Sequence, residues 1–150
     1  MRMNDKYDAL KLENQLCFPL YACAKEIVKR YTPYLDALGL TYTQYITMMV
    51  MWEHRALLVK ELGRHLYLDS GTLTPVLKKL EEKGYVSRAR LKGDERNLQV
   101  TLTEEGEALR ERALEVPMKI GACLRLEPTE ALEMYRLLHK LLDNLSQEQE

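Results

Sequence analysis

The feature that most restricts the fold of this chain is a change of period at Gly84. Before that glycine, apolar residues recur at helical spacing; after it they alternate. VKELGRHLYL reads as a short amphipathic helix with Leu62 and Leu66 turned inward. SGTLTPVLKKLEEKG reads as a second helix, capped by Asp69 or Ser70 and ended by Gly84, with Leu73, Leu77 and Leu80 as its core face. Pro75 stands in its first turn, where proline is tolerated. YVSRAR and NLQVTLT then read as two strands, the second alternating Leu98, Val100 and Leu102 with Asn97, Gln99 and Thr101. The connection LKGDER, with Gly93 and Asp94, is charged and reads as an exposed hairpin tip.

The flanks are helical. Residues 9–30 carry apolar side chains at helical spacing, interrupted by Pro19, so this helix either starts near Cys17 or bends there. TPYLDALGL then gives a short helical turn ending at Gly39. Thr41 and Gln44 form a T-x-x-Q capping box ahead of YITMMVMWEH, which is apolar nearly all round and reads as the central buried helix. Thr103 caps TEEGEALRERALEVPMKIG, and Glu127-Pro128 opens a last helix striped by Leu132, Tyr135, Leu138, Leu142 and Leu145. The fold class is therefore mainly α with a small two-stranded β wing, a winged helix-turn-helix in one domain of 150 residues.

That order has a physical use. The second helix of the pair enters the major groove, about 12 Å wide, and presents short polar side chains to base edges. Its outward positions are Ser70, Thr72, Thr74, Pro75, Lys78 and Lys79, and the wing tip is expected to carry Arg88, Arg90, Lys92 and Arg96. Each alone is an ordinary solvated residue; the ordered set points to double-stranded DNA. The whole chain has a net charge of −1, which excludes simple coating of nucleic acid by a basic protein. Yet Lys78 to Arg96 holds seven basic and four acidic residues, a local +3. The N-terminus lacks the apolar stretch of a signal peptide, and no apolar run approaches the roughly 20 residues of a membrane span. The cytoplasm is the default location, and the final LSQEQE, acidic or polar, is expected to lie away from phosphate.

Three cysteines are present, Cys17, Cys23 and Cys123. None forms a C-x-x-C pair or has a histidine at zinc-ligand spacing, and His54, His65 and His139 are scattered, so neither metal nor cofactor is expected. The thiols are either buried and inert or redox-active. Cys17 sits in the apolar run L-C-F-P-L-Y, the setting of a small core residue. Pro19 argues the other way, because a helix start beside Cys17 leaves unpaired backbone N–H groups that favour a thiolate. Tyr21, Tyr31, Tyr34, Tyr42 and Tyr45 follow; a phenol can donate to a thiolate and to a peroxide oxygen.

Residues 59–106 are similar to the core of the MarR family of bacterial repressors. The resemblance is carried by the Asp69–Ser70 helix start, the L-x-x-x-G-x-V turn at Leu80–Val86, and Asp94-Glu95-Arg96 followed by LTEEG. The stretch KLENQLCFPLYACAKEIVKRYTPYLDALGLTYTQY resembles the organic hydroperoxide repressors within that family. The resemblance implies a homodimer joined by its N- and C-terminal helices, here 9–40 and 104–147, with the DNA module at 41–103 and a pseudo-palindromic operator. It implies that Arg96 reaches the minor groove, positioned by Asp94. It also implies that Cys17 is the peroxidatic cysteine, oxidised by an organic hydroperoxide to sulfenic acid, with Tyr31 and Tyr42 as the phenols that hydrogen-bond its thiolate, one or both from the other subunit. The sulfenate would then be trapped by a small thiol or by Cys123 of the other subunit; Cys23 reads as a bystander.

Two rival functions fit the same residues. One is a repressor of this type gated by a small aromatic ligand, with Met48, Met49, Met51 and Trp52 lining the pocket; these side chains also read as plain core. The other is a thiol peroxidase using Cys17 and Cys123, although no docking pattern for a reductant is visible and the winged module would then have no purpose.

Overall fold

A computed structural model describes residues 6–147; the first five residues and the acidic tail 148–150 lie outside the described residues. Two single-turn 3-10 helices, Asp8–Leu10 and Leu12–Asn14, lead into α1 (Cys17–Asp36), α2 (Tyr42–His54), β1 (Ala56–Leu58), α3 (Val59–Leu66), α4 (Ser70–Glu82), β2 (Val86–Leu91), β3 (Asp94–Leu102), α5 (Glu104–Ala113), α6 (Val116–Leu124) and α7 (Pro128–Gln147). The chain divides into two compact units, residues 1–116 and 117–150.

The first unit is a winged helix-turn-helix. Its helix starts follow from local chemistry. Thr41 and Gln44 close both bonds of the capping box, Asp69 Oδ1 accepts from the Thr72 amide at 2.7 Å, and Thr103 Oγ1 accepts from the Gly106 amide at 3.0 Å. The core lies where the apolar faces of α2, α3, α4 and the sheet meet: Met48, Met51, Leu62, Leu73, Leu77, Leu80 and Val100 are fully buried. Leu66, expected inward, is only half-buried. Gly106 is required by close approach rather than by freedom. Any Cβ there would lie 2.2 Å from the Tyr85 carbonyl oxygen, and its own carbonyl accepts from the buried Trp52 indole at 2.8 Å.

Three expectations change. The sheet has three antiparallel strands in the order β1-β3-β2, because Ala56–Leu58 pairs with Gln99–Thr101 on the free edge of β3. A three-residue strand is too short to show a period. The helix expected over 9–30 does not stop before TPYLDALGL: α1 runs on through Pro33 to Asp36, and the chain then turns at Gly39, φ 67°, as expected. The helix predicted from Thr103 through Ile120 is two helices, α5 and α6, parted at Leu114–Glu115 just before Pro117.

In the second unit, α7 begins with Pro128 at its first position, and Glu130 Oε2 accepts from the Glu127 amide at 2.9 Å. The stripe on α7 is present but uncovered: Leu132 is 70% and Tyr135 62% exposed. Among the described residues no helix is long and apolar enough to cross a membrane.

Candidate DNA interface and thiol site

The outer face of α4 carries Ser70, Thr72, Thr74, Pro75, Lys78 and Lys79, all exposed, directly opposite the buried Leu73–Leu77–Leu80 face. Thr74 Oγ1 donates to the Ser70 carbonyl at 2.7 Å, and Lys79 pairs with Glu82 at 3.1 Å. The Thr72 amide and hydroxyl both hold Asp69 below the usual carboxylate range, so the cap is charged at neutral pH. The turn before α4 passes through Tyr67 in the left-handed region, at φ 54°, with its ring exposed. Nothing in the sequence marks that conformation.

The wing is β2 and β3 joined at Lys92-Gly93, where Leu91 faces Asp94 and Gly93 takes φ 82°. Lys92 and Arg96 are exposed. Asp94 does fix the backbone that carries Arg96: one carboxylate oxygen accepts from the Arg96 amide at 3.2 Å, and the other accepts from the Asn97 side-chain amide. Arg90 donates to the Glu95 carbonyl. Arg88 is not at the tip. It faces Val100 toward the base of the hairpin, half-buried, with its guanidinium 3.2 Å from Glu81 and its amide donating to the same carboxylate at 2.9 Å. The Arg88 guanidinium, and then its amide, hold Glu81 below the ordinary carboxylate range. Arg88 therefore braces β2 against α4, a role that no local sequence pattern signals.

The thiols are all exposed. Cys17 is the first residue of α1, with Pro19 two residues on, and Leu16 before it supplies no side-chain cap. The alternative of a bend at Pro19 does not occur. Tyr31 and Tyr42 are brought together, with ring centroids 4.9 Å apart, and Tyr45 joins them at 5.8 Å from Tyr31. Burial pushes all three phenols up, Tyr45 to about 12, so they stay protonated and able to donate. Cys17 and Tyr31 lie on one continuous helix, fourteen residues apart, which is about 21 Å along the axis. The Tyr31–Tyr42 pair of a subunit cannot reach its own Cys17. Cys123 lies on α6 in the second unit. The histidines are not all scattered, since the rings of His54 and His65 stand 4.7 Å apart. Among the described residues no group of three His, Cys, Asp or Glu could hold a metal ion. The Met and Trp alternative divides: Met48, Met51 and Trp52 are buried in the core, and Met49 is exposed.

A capped recognition helix presenting hydroxyls and lysines, beside a hairpin that projects cations, defines a winged-helix DNA-binding transcription regulator. Known proteins agree. The family described as Transcriptional regulator SarA/Rot matches residues 29–112. The organic hydroperoxide resistance transcriptional regulator of Bacillus subtilis is 45% identical over 97% of this chain and 99% of its own. Reduced AbfR of Staphylococcus epidermidis bound to DNA superposes with a TM-score of 0.81 at 37% identity, over 97% of this chain and all of that one. A disulfide-formed state of AbfR gives 0.60, over 95% of this chain and 94% of that one. A mutant Escherichia coli MarR with operator DNA gives 0.79 at 25% identity, over 93% and 99%. The chain belongs to the MarR family of transcription regulators, in the group that includes the Bacillus hydroperoxide regulator.

Proposed function

We propose that this chain is the subunit of a cytoplasmic homodimeric repressor that leaves a pseudo-palindromic operator when an organic hydroperoxide oxidises Cys17. The observation that carries this reading is the place of Cys17: exposed, first in α1, at a helix start without a side-chain cap. The about 21 Å between Cys17 and Tyr31 on one helix means that a site joining Cys17 to Tyr31 and Tyr42 needs two copies. The uncovered apolar side chains of 9–40 and 104–147, among them Leu16, Tyr21, Leu132 and Tyr135, suit burial by a second copy. The module 41–103 then reads the operator through Ser70, Thr72, Thr74, Pro75, Lys78 and Lys79 in the major groove. Arg90, Lys92 and Arg96 are carried to the DNA by the wing.

The chemistry balances without a cofactor. The Cys17 thiolate attacks the terminal peroxide oxygen, and the O–O bond breaks. The alkoxide takes a proton and leaves as an alcohol, while the sulfur, oxidised by two electrons, becomes sulfenic acid. Condensation with the thiol of Cys123 on the other subunit forms an S–S bond and releases water. That AbfR has reduced, DNA-bound and disulfide forms is in keeping with such a cycle.

The test is mass spectrometry after one equivalent of cumene hydroperoxide per subunit. A sulfenate-trapping dione should label the Cys17 peptide in the Cys123→Ser protein. Wild type should instead give a disulfide-linked dimer on non-reducing gels. Label confined to Cys23 would overturn the assignment of Cys17, and a persisting dimer in Cys123→Ser would exclude the bridge.

A further inference from the structure

The end of α1 is held by two cations, one at the end of the recognition helix and one on α5. Lys83, the residue that ends α4, donates through Nζ to the Gly39 carbonyl and lies 3.5 Å from Gln44 Oε1. Arg112 at the end of α5 donates through Nη2 to the Ala37 carbonyl at 2.7 Å. The C-terminal end of a helix carries partial negative charge on its unpaired carbonyls, so cations are favoured there. The oxygen of Gln44 that Lys83 approaches is also the one that accepts from the Thr41 amide at 3.1 Å. Lys83 therefore shares a cap with the first turn of α2, and the next residue after Thr41 is Tyr42, packed on Tyr31.

We propose that Lys83 is a positioning residue that ties the recognition helix to the Tyr31–Tyr42 pair, so that a displacement of the pair is delivered to α4 through the first turn of α2. This rests on the reading that the pair belongs to the thiol-sensing site. Buried side chains between α2 and α4 are close-packed and resist small independent shifts. The ammonium–carbonyl bond is exposed, and water can replace it at a small net cost. Together with the approach to Gln44 Oε1, it is the contact that a slight movement of the segment 39–44 can make or break. Arg112 holds the neighbouring carbonyl from α5, which leaves Lys83 as the link that leads to α4.

Two measurements test the tie on the full-length protein. In the first, operator affinity is measured for wild type, Lys83→Arg and Lys83→Met, reduced and after cumene hydroperoxide. Lys83→Met should bind within about threefold of wild type when reduced, while its loss of affinity on oxidation shrinks at least about tenfold; Lys83→Arg should restore the response. An unchanged response in Lys83→Met overturns the proposal. So does collapse of its reduced-state binding, which would make Lys83 a static brace.

In the second, amide exchange of 70–82 is followed without oxidant. Tyr42→Leu should speed it at least about fivefold in the wild-type background and less than about twofold in Lys83→Met. No effect of Tyr42→Leu, or an equal effect in both backgrounds, overturns it. If wild type ignores hydroperoxide, the sensing reading fails and the exchange measurement still decides the tie.

Discussion

The winged module and the helical flanks are built on opposite terms. The module closes on itself: Leu62, Leu73, Leu77, Leu80 and Val100 have no exposed surface, and α2 and α4 are each started by a side-chain cap, Thr41 and Asp69. The flanks close only in part: Leu35, Leu38, Leu109 and Ile120 are buried, but much of the remaining apolar surface is not. Leu16 is 79% and Leu132 70% exposed, and Cys17 begins a helix whose preceding residue cannot cap it. A region that satisfies its own groups serves as a fixed reading head. On the proposed reading, the region that leaves apolar surface and a thiol open is finished by a second copy, and that is where the signal enters.

The sharpest way to break this contrast is to damage each side and compare. Leu77→Ala should cost about 3 kcal/mol of unfolding free energy in denaturant titrations, because the deleted methyl groups leave a cavity in a packed core. Leu132→Ser with Tyr135→Ser should change secondary structure little but move the protein toward monomer in sedimentation at micromolar concentration. Wild-type self-association in that double variant would show that α7 is not the joining face.

Arg96→Ala should lower operator affinity about tenfold, roughly 1.4 kcal/mol, with an unchanged melting temperature, because its side chain is exposed and held in place only through its backbone. A matching fall in melting temperature would make Arg96 structural. Arg88→Ala should do the reverse, lowering the melting temperature while the salt dependence of operator binding stays as in wild type, since Arg88 is committed to Glu81.

The smallest effect concerns the cap of α4. The Asp69 carboxyl is held below its unfolded value by Thr72, so its contribution is present above about pH 4 and is lost as pH falls through the lower folded value. The melting temperature of wild type should exceed that of Asp69→Ala at pH 7, and the two should converge as pH falls below the lowered folded value. Asp69→Asn, which caps without titrating, should keep its advantage over Asp69→Ala in acid.

The same contrast explains what the residues disclosed in advance. The module was legible because its determinants are local: the Thr41–Gln44 box, the Asp69 cap, the stop at Gly84 and the alternation of β3 all act within a few residues. β1 escaped because three residues carry no period and its pairing partner is over forty positions away. Arg88 was misplaced for the same reason; its commitment to Glu81 crosses a turn and depends on the register of the hairpin. At the thiol site, Pro19 correctly marked a helix start. The pairing of Tyr31 with Tyr42, and their separation from Cys17, depended on α1 running unbroken through Pro33, which a proline in the sequence argues against.

The most direct measurement is fluorescence anisotropy of a labelled operator duplex, titrated with wild type and with Cys17→Ser before and after one equivalent of cumene hydroperoxide per subunit. Wild type should bind when reduced, lose most of its affinity on oxidation and regain it with dithiothreitol, while Cys17→Ser binds equally well throughout. Equal loss of affinity in Cys17→Ser would contradict sensing at this thiol and leave the DNA-reading module standing without it.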